Sequence, residues 1–369
     1  MKVGCVKEIK NNEFRVGMTP GNVKSYVQQG HQVLIERDAG VGSGFATKEY
    51  EDAGASILSA EDVWSGSDMI IKVKEPLEEE YKYFRKNLLL YTYLHLAADR
   101  PLTDAMLKSG MTGVAYETLI ERNGSLPLLA PMSQIAGRLS IQEGAKYLEK
   151  PFGGSGVLLS GVPGTPKAKV VIVGAGVVGS NALKIAAGIG ADVTIMDLNL
   201  ERLTHLDDIY GNRVHTLHSS PVTIEEAISD ADLVIGSVLI PGKAAPKLIK
   251  RSYLKDMRPN SVIVDVAVDQ GGCCETTKVT YHDDPTFVVD GVLHYCVGNM
   301  PGAVPRTSTI ALTNATQSYG LEIAGKGLKR ACSENTVIYS AINTFGGACT
   351  CHNVCVGFGL DYVEADRAI

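Results

Sequence analysis

Four side chains that can bind an anion or move a proton follow predicted strands. Arg15 comes after the first strand, and its planar guanidinium suits a carboxylate. Lys74 and His95 each stand at the end of an apolar strand, and Asp269 follows a third. In open α/β sheets the ligand crevice lies outside these strand ends. The pattern therefore predicts a site that holds a carboxylate and moves protons, as the oxidation of an amino acid requires.

Each of these residues also has an ordinary structural interpretation. Arg15 can pair with Glu13 or with a helix C-terminus, and Lys74 can be a solvated surface charge. His95 can be a hydrogen-bonded structural residue, and Asp269 can cap a turn. Their shared position at strand ends is what favours a function for the set.

A glycine-rich segment predicts a dinucleotide site. The apolar strand 169–173 leads directly into Gly174, Gly176 and Gly179, and a helical segment follows. Three such glycines suit a tight turn, close approach to a pyrophosphate, and close helix–strand packing. The helix N-terminus then offers N–H groups and a positive dipole to the phosphates. A second strand ends in Asp197, where an acid can bind ribose hydroxyls.

The predicted cofactor is NAD. The carboxylate of Asp197 would repel the 2′-phosphate of NADP, although Arg202 lies only five residues further on. The alternative, a plain glycine-rich turn, does not explain why strand, loop, helix, second strand and acid all occur in register.

The elements that must position these residues alternate between strand and helix. One alternation fills the first part of the chain, and a second runs from residue 170 to about 289. We predict an α/β protein with two Rossmann-like doubly wound domains. The NAD-binding domain, residues 130–305, is expected to be inserted into a discontinuous substrate domain made of residues 1–129 and 306–369.

Composition excludes several classes of function. The 369 residues are 45% hydrophobic and 21% charged, with a formal net charge of −6. This charge offers no general attraction to nucleic acid or to an anionic membrane. No apolar run approaches the roughly 18 residues of a membrane span. The N-terminus lacks the apolar region of a signal peptide, so we expect a cytoplasmic location.

The cysteines are expected to be free thiols. Cys349, Cys351 and Cys355 cluster around His352, but their spacing is not typical of a zinc site. We therefore predict neither a metal site nor a disulfide.

Several long motifs resemble those of the alanine dehydrogenase/nicotinamide transhydrogenase N-terminal family. The resemblance extends over roughly residues 1–330. It is carried by KE at 7–8, EFRV at 13–16, TP at 19–20, VKEP at 73–76, YLHLA at 93–97, PMSQIAGR at 131–138, DVAVDQGG at 265–272 and NMPGAVPRTST at 299–309. Within the family, alanine dehydrogenase is the member that these motifs indicate. That likeness implies reversible oxidation of L-alanine to pyruvate and ammonia with NAD, usually in a homohexamer.

The resemblance also implies roles for individual residues. Arg15 and Lys74 would hold the substrate carboxylate and carbonyl, and His95 and Asp269 would be the proton-handling pair. The residues implied to line the cofactor are Ser133, Gly174, Gly176, Val177, Val178, Gly179, Asp197, Arg202, Ser219, Val238, Leu239, Val266, Asp269, Val297, Gly298, Asn299 and Met300.

The chain departs from the family pattern in two places. Some members bind magnesium through a Glu and a His four residues apart, but here Glu322 is followed by Lys326. The tail 344–355, with its cysteines, also differs from that pattern.

Three other functions are compatible with parts of the sequence pattern. The NAD-binding component of proton-translocating nicotinamide transhydrogenase shares the N-terminal pattern, and saccharopine or lysine-oxoglutarate dehydrogenases act on larger substrates. A non-enzymatic NAD-binding redox sensor could also use this fold. Arg15, Lys74, His95 and Asp269 together favour an enzyme, since a sensor needs no groups to hold a substrate.

Overall fold

The computed structural model describes residues 1–238 and 245–369. The chain divides into two compact units, one of residues 1–132 with 304–369 and the other of residues 133–303.

The elements of the described residues are numbered in chain order. The strands are β1 (Lys2–Cys5), β2 (Gln32–Glu36), β3 (Ser56–Leu58), β4 (Met69–Ile71), β5 (Leu89–Thr92), β6 (Thr112–Ala115), β7 (Lys169–Val173), β8 (Asp192–Asp197), β9 (His215–His218), β10 (Leu233–Gly236), β11 (Val262–Asp265), β12 (Thr286–Val289), β13 (Val292–Tyr295), β14 (Ile342–Phe345) and β15 (Ala348–Cys349). The α-helices are α1 (Pro20–Gln28), α2 (Thr47–Asp52), α3 (Ala60–Gly66), α4 (Arg100–Ser109), α5 (Ala130–Leu148), α6 (Val177–Ile189), α7 (Leu200–Tyr210), α8 (Pro221–Ser229), α9 (Pro305–Lys326), α10 (Leu328–Glu334), α11 (Val337–Ser340), α12 (His352–Phe358) and α13 (Ala365–Ala368).

The first unit is built on one mostly parallel sheet. Its strand order within the described residues is β15-β14-β6-β5-β4-β1-β2-β3. The strands from β3 to β6 are parallel, and β14 and β15 join antiparallel at the edge. Because β1 lies between β2 and β4, the order reverses there. The loops after β1 and β4 therefore open on a crevice of the kind that binds ligands.

The second unit repeats this plan. Its strand order within the described residues is β12-β13-β11-β10-β7-β8-β9, with only β12 antiparallel to its neighbour. The order reverses between β7 and β10, so the loops after these strands form its crevice. Two mostly parallel sheets confirm the predicted α/β class with two Rossmann-like parts.

Burial explains why the central strands are continuous apolar runs. Every residue of β10 and β11 is buried, as expected when helices cover both faces of a parallel sheet. The helices begin at recognisable caps. For α4, the Asp99 side chain accepts a hydrogen bond from Leu102 N at 3.0 Å, and the helix ends at Gly110 with φ of +70°.

The structure corrects one detail of the sequence interpretation and adds another. The strand predicted to reach residue 73 ends at Ile71, because the N–H groups of Val73 and Lys74 donate to the Glu8 carboxylate instead of a neighbouring strand. In the tail, to which the sequence pattern assigned no element, the structure adds the β14–β15 hairpin at the sheet edge. Such short antiparallel strands carry little periodic signal.

All eight cysteines are free thiols, and only Cys351 is more than slightly exposed. The sulfurs of Cys349 and Cys355 lie 2.8 Å apart in the core of the first unit. Among the residues described, no helix is both long and apolar enough to cross a bilayer.

Candidate active site

Arg15 is buried in the first unit and paired with Glu13. Its Nε donates to Glu13 Oε1 at 2.7 Å and its Nη2 to Oε2 at 2.5 Å, while Nη1 faces the sulfur of Met132 at 3.1 Å. Burial by itself lowers the pKa of Arg15, but the hydrogen bonds and charge of Glu13 outweigh it and raise that pKa above its ordinary value. The guanidinium is therefore permanently charged, with one edge held by Glu13.

A buried group of charges supports the loop that carries Lys74. Lys72 has no exposed surface, and its Nζ lies 3.2 Å from Glu8 Oε2 and 2.8 Å from Glu80 Oε1. The other oxygen of Glu8 accepts the N–H of Val73 at 2.6 Å and that of Lys74 at 3.3 Å. Glu8 thus ties the end of β4 to the first loop and fixes the backbone at Lys74.

The two carboxylates of this group share a single ammonium. Burial is the main reason that the pKa of Glu8 is raised, and the attraction of Lys72 reduces the effect without reversing it. Burial alone would lower the pKa of Lys72, but Glu8 and Glu80 raise it, so the ammonium stays charged.

His95 is oriented by a carboxylate at one ring nitrogen. Its Nδ1 lies 3.0 Å from Glu75 Oε2, and its side chain is 43% exposed, whereas that of Glu75 is 11% exposed. Burial opposes ionisation of Glu75, but the hydrogen bond from His95 and the charges of Lys74 and Lys10 hold the pKa of Glu75 well below its usual range. An ionised carboxylate can only accept, so Nδ1 carries the proton that this contact shares.

The backbone at His95 is also held in place. Its φ of +49° lies in the left-handed region, which non-glycine residues seldom adopt. Glu117 accepts the N–H of Leu94 at 3.1 Å and that of His95 at 2.6 Å, and the Tyr93 ring stacks on the imidazole with centroids 5.9 Å apart. These contacts offset the strain that the left-handed conformation introduces.

In the second unit, the three glycines of the 174–179 loop differ in the space around them. Gly174 has φ of +104°, which L side chains rarely adopt. A Cβ on Gly179 would lie 1.8 Å from the Gly174 carbonyl oxygen, so only glycine allows α6 to begin so close to β7. A Cβ on Gly176 would meet nothing within 4 Å. That open space, beside the N-terminus of α6 at Val177 and Val178, suits a pyrophosphate.

Four predicted cofactor residues line one cavity of 340 Å³ beside this loop, namely Gly174, Asp197, Ser219 and Val238. The Asp197 carboxylate accepts the N–H of Ala175 at 2.6 Å and that of Asn199 at 2.8 Å. Arg202 donates from Nε to the Ala175 carbonyl at 2.8 Å, so it braces the glycine loop.

Asp269 is exposed on a short 3-10 helix, Val268–Gln270, that follows β11. Its Oδ2 accepts the N–H of Asn299 at 3.3 Å. A Cβ on Gly298 would lie 2.8 Å from Asp269 Oδ1, so a larger residue there would push the carboxylate aside. The structure thus brings Asp269, Gly298 and Asn299 together.

The remaining predicted cofactor residues have varied surroundings. Ser133 is half-buried on α5, which approaches α6 so closely that a Cβ on Gly137 would lie 2.2 Å from Val178 O. Val297 and Met300 are buried and Val266 is half-buried. Leu239 lies outside the described residues.

Where some family members bind magnesium through a Glu and a His, this chain has an ion pair between Glu322 and Lys326. Its Nζ lies 2.8 Å from Glu322 Oε1, and Asn335 donates to Oε2 at 2.9 Å. No group of three or more His, Cys, Asp or Glu side chains arranged for a metal occurs in residues 1–238 and 245–369.

Sequence reasoning missed the carboxylates that position the predicted residues. Glu75 and Glu8 were part of quoted motifs, but their roles toward His95 and Lys74 were not foreseen. The polar break that Lys72 makes in the apolar run 69–73 was the available signal for a buried ion pair. No local pattern pointed to Glu117.

A glycine-rich turn into a helix N-terminus, followed by a strand that ends in an acid, is typical of oxidoreductases that use a nicotinamide dinucleotide. Comparison with known proteins narrows the class. Residues 4–136 match the family model "Alanine dehydrogenase/PNT, N-terminal domain", and residues 140–352 match its C-terminal counterpart. The chain therefore belongs to the alanine dehydrogenase/PNT family.

Individual relatives agree with this assignment over their whole length. The chain is 54% identical to an alanine dehydrogenase of Staphylococcus haemolyticus, covering 100% of this chain and 99% of the relative. It is similar to a solved L-alanine dehydrogenase with a TM-score of 0.95 and 52% identity, covering 97% and 99% of the two chains. A transhydrogenase from Sinorhizobium meliloti is more distant, with a TM-score of 0.82, 26% identity, and coverage of 95% and 99%.

Proposed function

We propose that this chain catalyses the NAD-dependent, reversible oxidative deamination of L-alanine to pyruvate and ammonia. The observation that carries the proposal is the contact of His95 Nδ1 with the ionised Glu75, which leaves Nε2 for proton transfer. It occurs in a chain that is 54% identical over its whole length to an alanine dehydrogenase.

Arg15 is proposed to bind the substrate carboxylate. Glu13 holds the edge formed by Nε and Nη2, while Nη1 faces the weakly accepting sulfur of Met132. The buried guanidinium keeps its positive charge, so it can attract a carboxylate. Burial strengthens such a charge-assisted bond because little water competes for the guanidinium.

The proton transfers are proposed to use His95 and Asp269. A bound NAD would supply the acceptor for the hydride that leaves the alanine Cα, and the loss of hydride turns the neutral amine into an iminium ion. Asp269 accepts a proton from the water that attacks this iminium carbon. His95, through Nε2, accepts the proton of the new hydroxyl group and passes it to the departing amine as the C–N bond breaks. Lys74 adds positive charge beside the same oxygen.

The residues present fit the dinucleotide. The open space at Gly176 would take the pyrophosphate, and the cavity beside Asp197 would take adenosine. A carboxylate at the end of β8 favours ribose hydroxyls over a 2′-phosphate, so we propose NAD rather than NADP.

The test is the oxidation of NADH by the purified chain with pyruvate and ammonium. Omitting ammonium is the control, and NADPH, glyoxylate and 2-oxoglutarate measure specificity. We expect turnover that requires ammonium and is fastest with NADH and pyruvate. Absence of turnover with every oxo acid would contradict the proposal, and hydride exchange between nucleotides alone would indicate a transhydrogenase component.

We also propose that the enzyme is a cytoplasmic homohexamer, as the family resemblance implies. Light scattering coupled to size exclusion should then give about six times the 39.3-kDa mass of the chain. A smaller mass at micromolar concentration would contradict this assembly.

A further inference from the structure

We infer that Lys247 is a positioning residue that links the adenosine cavity to the loop carrying Asp269. This inference rests on the proposed function for the role of Asp269, but the contacts that support it lie wholly within the second unit. It assigns a role to a residue that the mechanism above does not use.

The segment around Lys247 faces the adenosine cavity on one side and the loop after Asp269 on the other. Pro246, Lys247, Leu248 and Lys250 line the cavity that also contains Asp197. An adenosine moiety in this cavity would therefore meet this segment directly.

The backbone of this segment is hydrogen-bonded to the loop after Asp269. Ala245 N donates to Gln270 O at 2.8 Å, and Leu248 N donates to Cys273 O at 2.8 Å. Ile249 also forms a parallel bridge with Cys274. The wall of the cavity and the Asp269 loop thus form a single hydrogen-bonded layer.

The Lys247 side chain closes this layer. Its Nζ donates to the carbonyl oxygen of Gly271 and, at 2.9 Å, to that of Cys274. Gly271 is the residue that ends the 3-10 helix Val268–Gln270, on which Asp269 stands. The ammonium therefore holds the end of the turn that aims the proposed base.

This loop needs such an anchor because of its glycines. Gly271 and Gly272 have φ of +91° and +78°, and glycine backbones have the largest conformational freedom to lose. The inner side of the loop is held by the buried Asp265 carboxylate, which accepts the N–H of Cys274 at 3.1 Å. On the outer side, Lys247 adds a side-chain anchor to the backbone hydrogen bonds of Ala245 and Leu248, and it also lines the cofactor cavity. Occupying the cavity restrains Lys247 and so restrains Asp269.

The first experiment measures this restraint without turnover. Amide hydrogen exchange of residues 266–276 is recorded with and without saturating AMP, which carries only the adenosine end of the cofactor. We expect AMP to slow exchange in the wild-type protein and not in Lys247→Met, although calorimetry shows AMP bound to both. Lys250→Met is the matched control, because Lys250 lines the same cavity but lies over the Tyr253 ring, and it should keep the protection. Equal protection in Lys247→Met would overturn the inference.

The second experiment separates positioning from affinity. With NADH, Lys247→Met should lower kcat about tenfold, the cost of a charge-assisted hydrogen bond, and Lys247→Arg should restore most of it. With reduced nicotinamide mononucleotide, which lacks adenosine, the variant and wild type should have similar kcat. A rise in the KM for NADH with unchanged kcat, or equal losses with both cofactors, would contradict the coupling. If wild type oxidises no NADH, the proposed function fails, while the exchange result with AMP still decides the link.

Discussion

Replacing Glu75 with Gln isolates the contact that orients His95. The change keeps the size of the side chain but removes its negative charge. In the wild type, the Glu75 carboxylate accepts a hydrogen bond from His95 Nδ1 at 3.0 Å. The neutral amide can also turn its NH2 group toward the ring and favour the tautomer with the proton on Nε2. His95 would then present the wrong nitrogen state to the substrate.

The expected size of the effect follows from the exposure of the pair. A hydrogen bond that involves a charged group contributes about 1.5–3 kcal/mol. The His95 side chain is 43% exposed, so solvent screens the interaction and the lower end applies. About 1.5 kcal/mol corresponds to roughly a tenfold loss of kcat. The KM for NADH should change little, because Glu75 belongs to the first unit and the proposed cofactor residues to the second.

The assay is steady-state kinetics in both directions, with thermal unfolding as a check on the fold. Glu78→Gln is the matched control, since Glu78 is an exposed glutamate nearby in the chain, and its kcat should match wild type. Lys10→Met removes another partner of Glu75 and should cost less activity than Glu75→Gln. A kcat for Glu75→Gln within twofold of wild type, with a native unfolding transition, would refute the assigned role of Glu75.

Three further predictions concern the glycine loop and the buried charges. Gly176→Ala should raise the KM for NADH and leave the melting temperature unchanged. Gly179→Ala should lower the melting temperature, because, of these two glycines, only Gly179 would place a Cβ against the backbone. A lower melting temperature for Gly176→Ala than for Gly179→Ala would contradict this packing. Lys72→Met should destabilise the protein by about 3 kcal/mol in denaturant unfolding, since it leaves the Glu8 and Glu80 carboxylates unpaired, and a loss below about 1 kcal/mol would not fit. Because burial raises the folded pKa of Glu8, the folded state binds this proton more tightly, so this residue's contribution to stability falls as pH rises above the ordinary 4.5. Glu8→Gln mimics the protonated form, so its free energy of unfolding relative to wild type should be higher at pH 7 than at pH 4. A difference in free energy of unfolding that does not change with pH would exclude the raised pKa of Glu8.

Much of the architecture could be predicted because it depends on local pattern. Apolar runs such as residues 170–173 predicted buried strands, and the glycines after them predicted the turn into α6. The α/β class with two Rossmann-like parts and the family membership are confirmed. The β14–β15 hairpin was missed, because an edge strand of four residues or fewer is specified by the strand it pairs with more than by its own sequence.

For the candidate site, sequence determined which residues stand at strand ends and which reactive groups they carry. Arg15, Lys74, His95 and Asp269 were recognisable in that way, and their catalytic roles stay predictions. Only the tertiary structure decided what holds each of them. Glu8 lies 65 residues before Val73, and Lys247 lies 24 before Gly271, yet each pair is hydrogen-bonded. Such partners meet because parallel strands bring distant loops to one edge of a sheet, and short-range periodicity contains no record of that meeting.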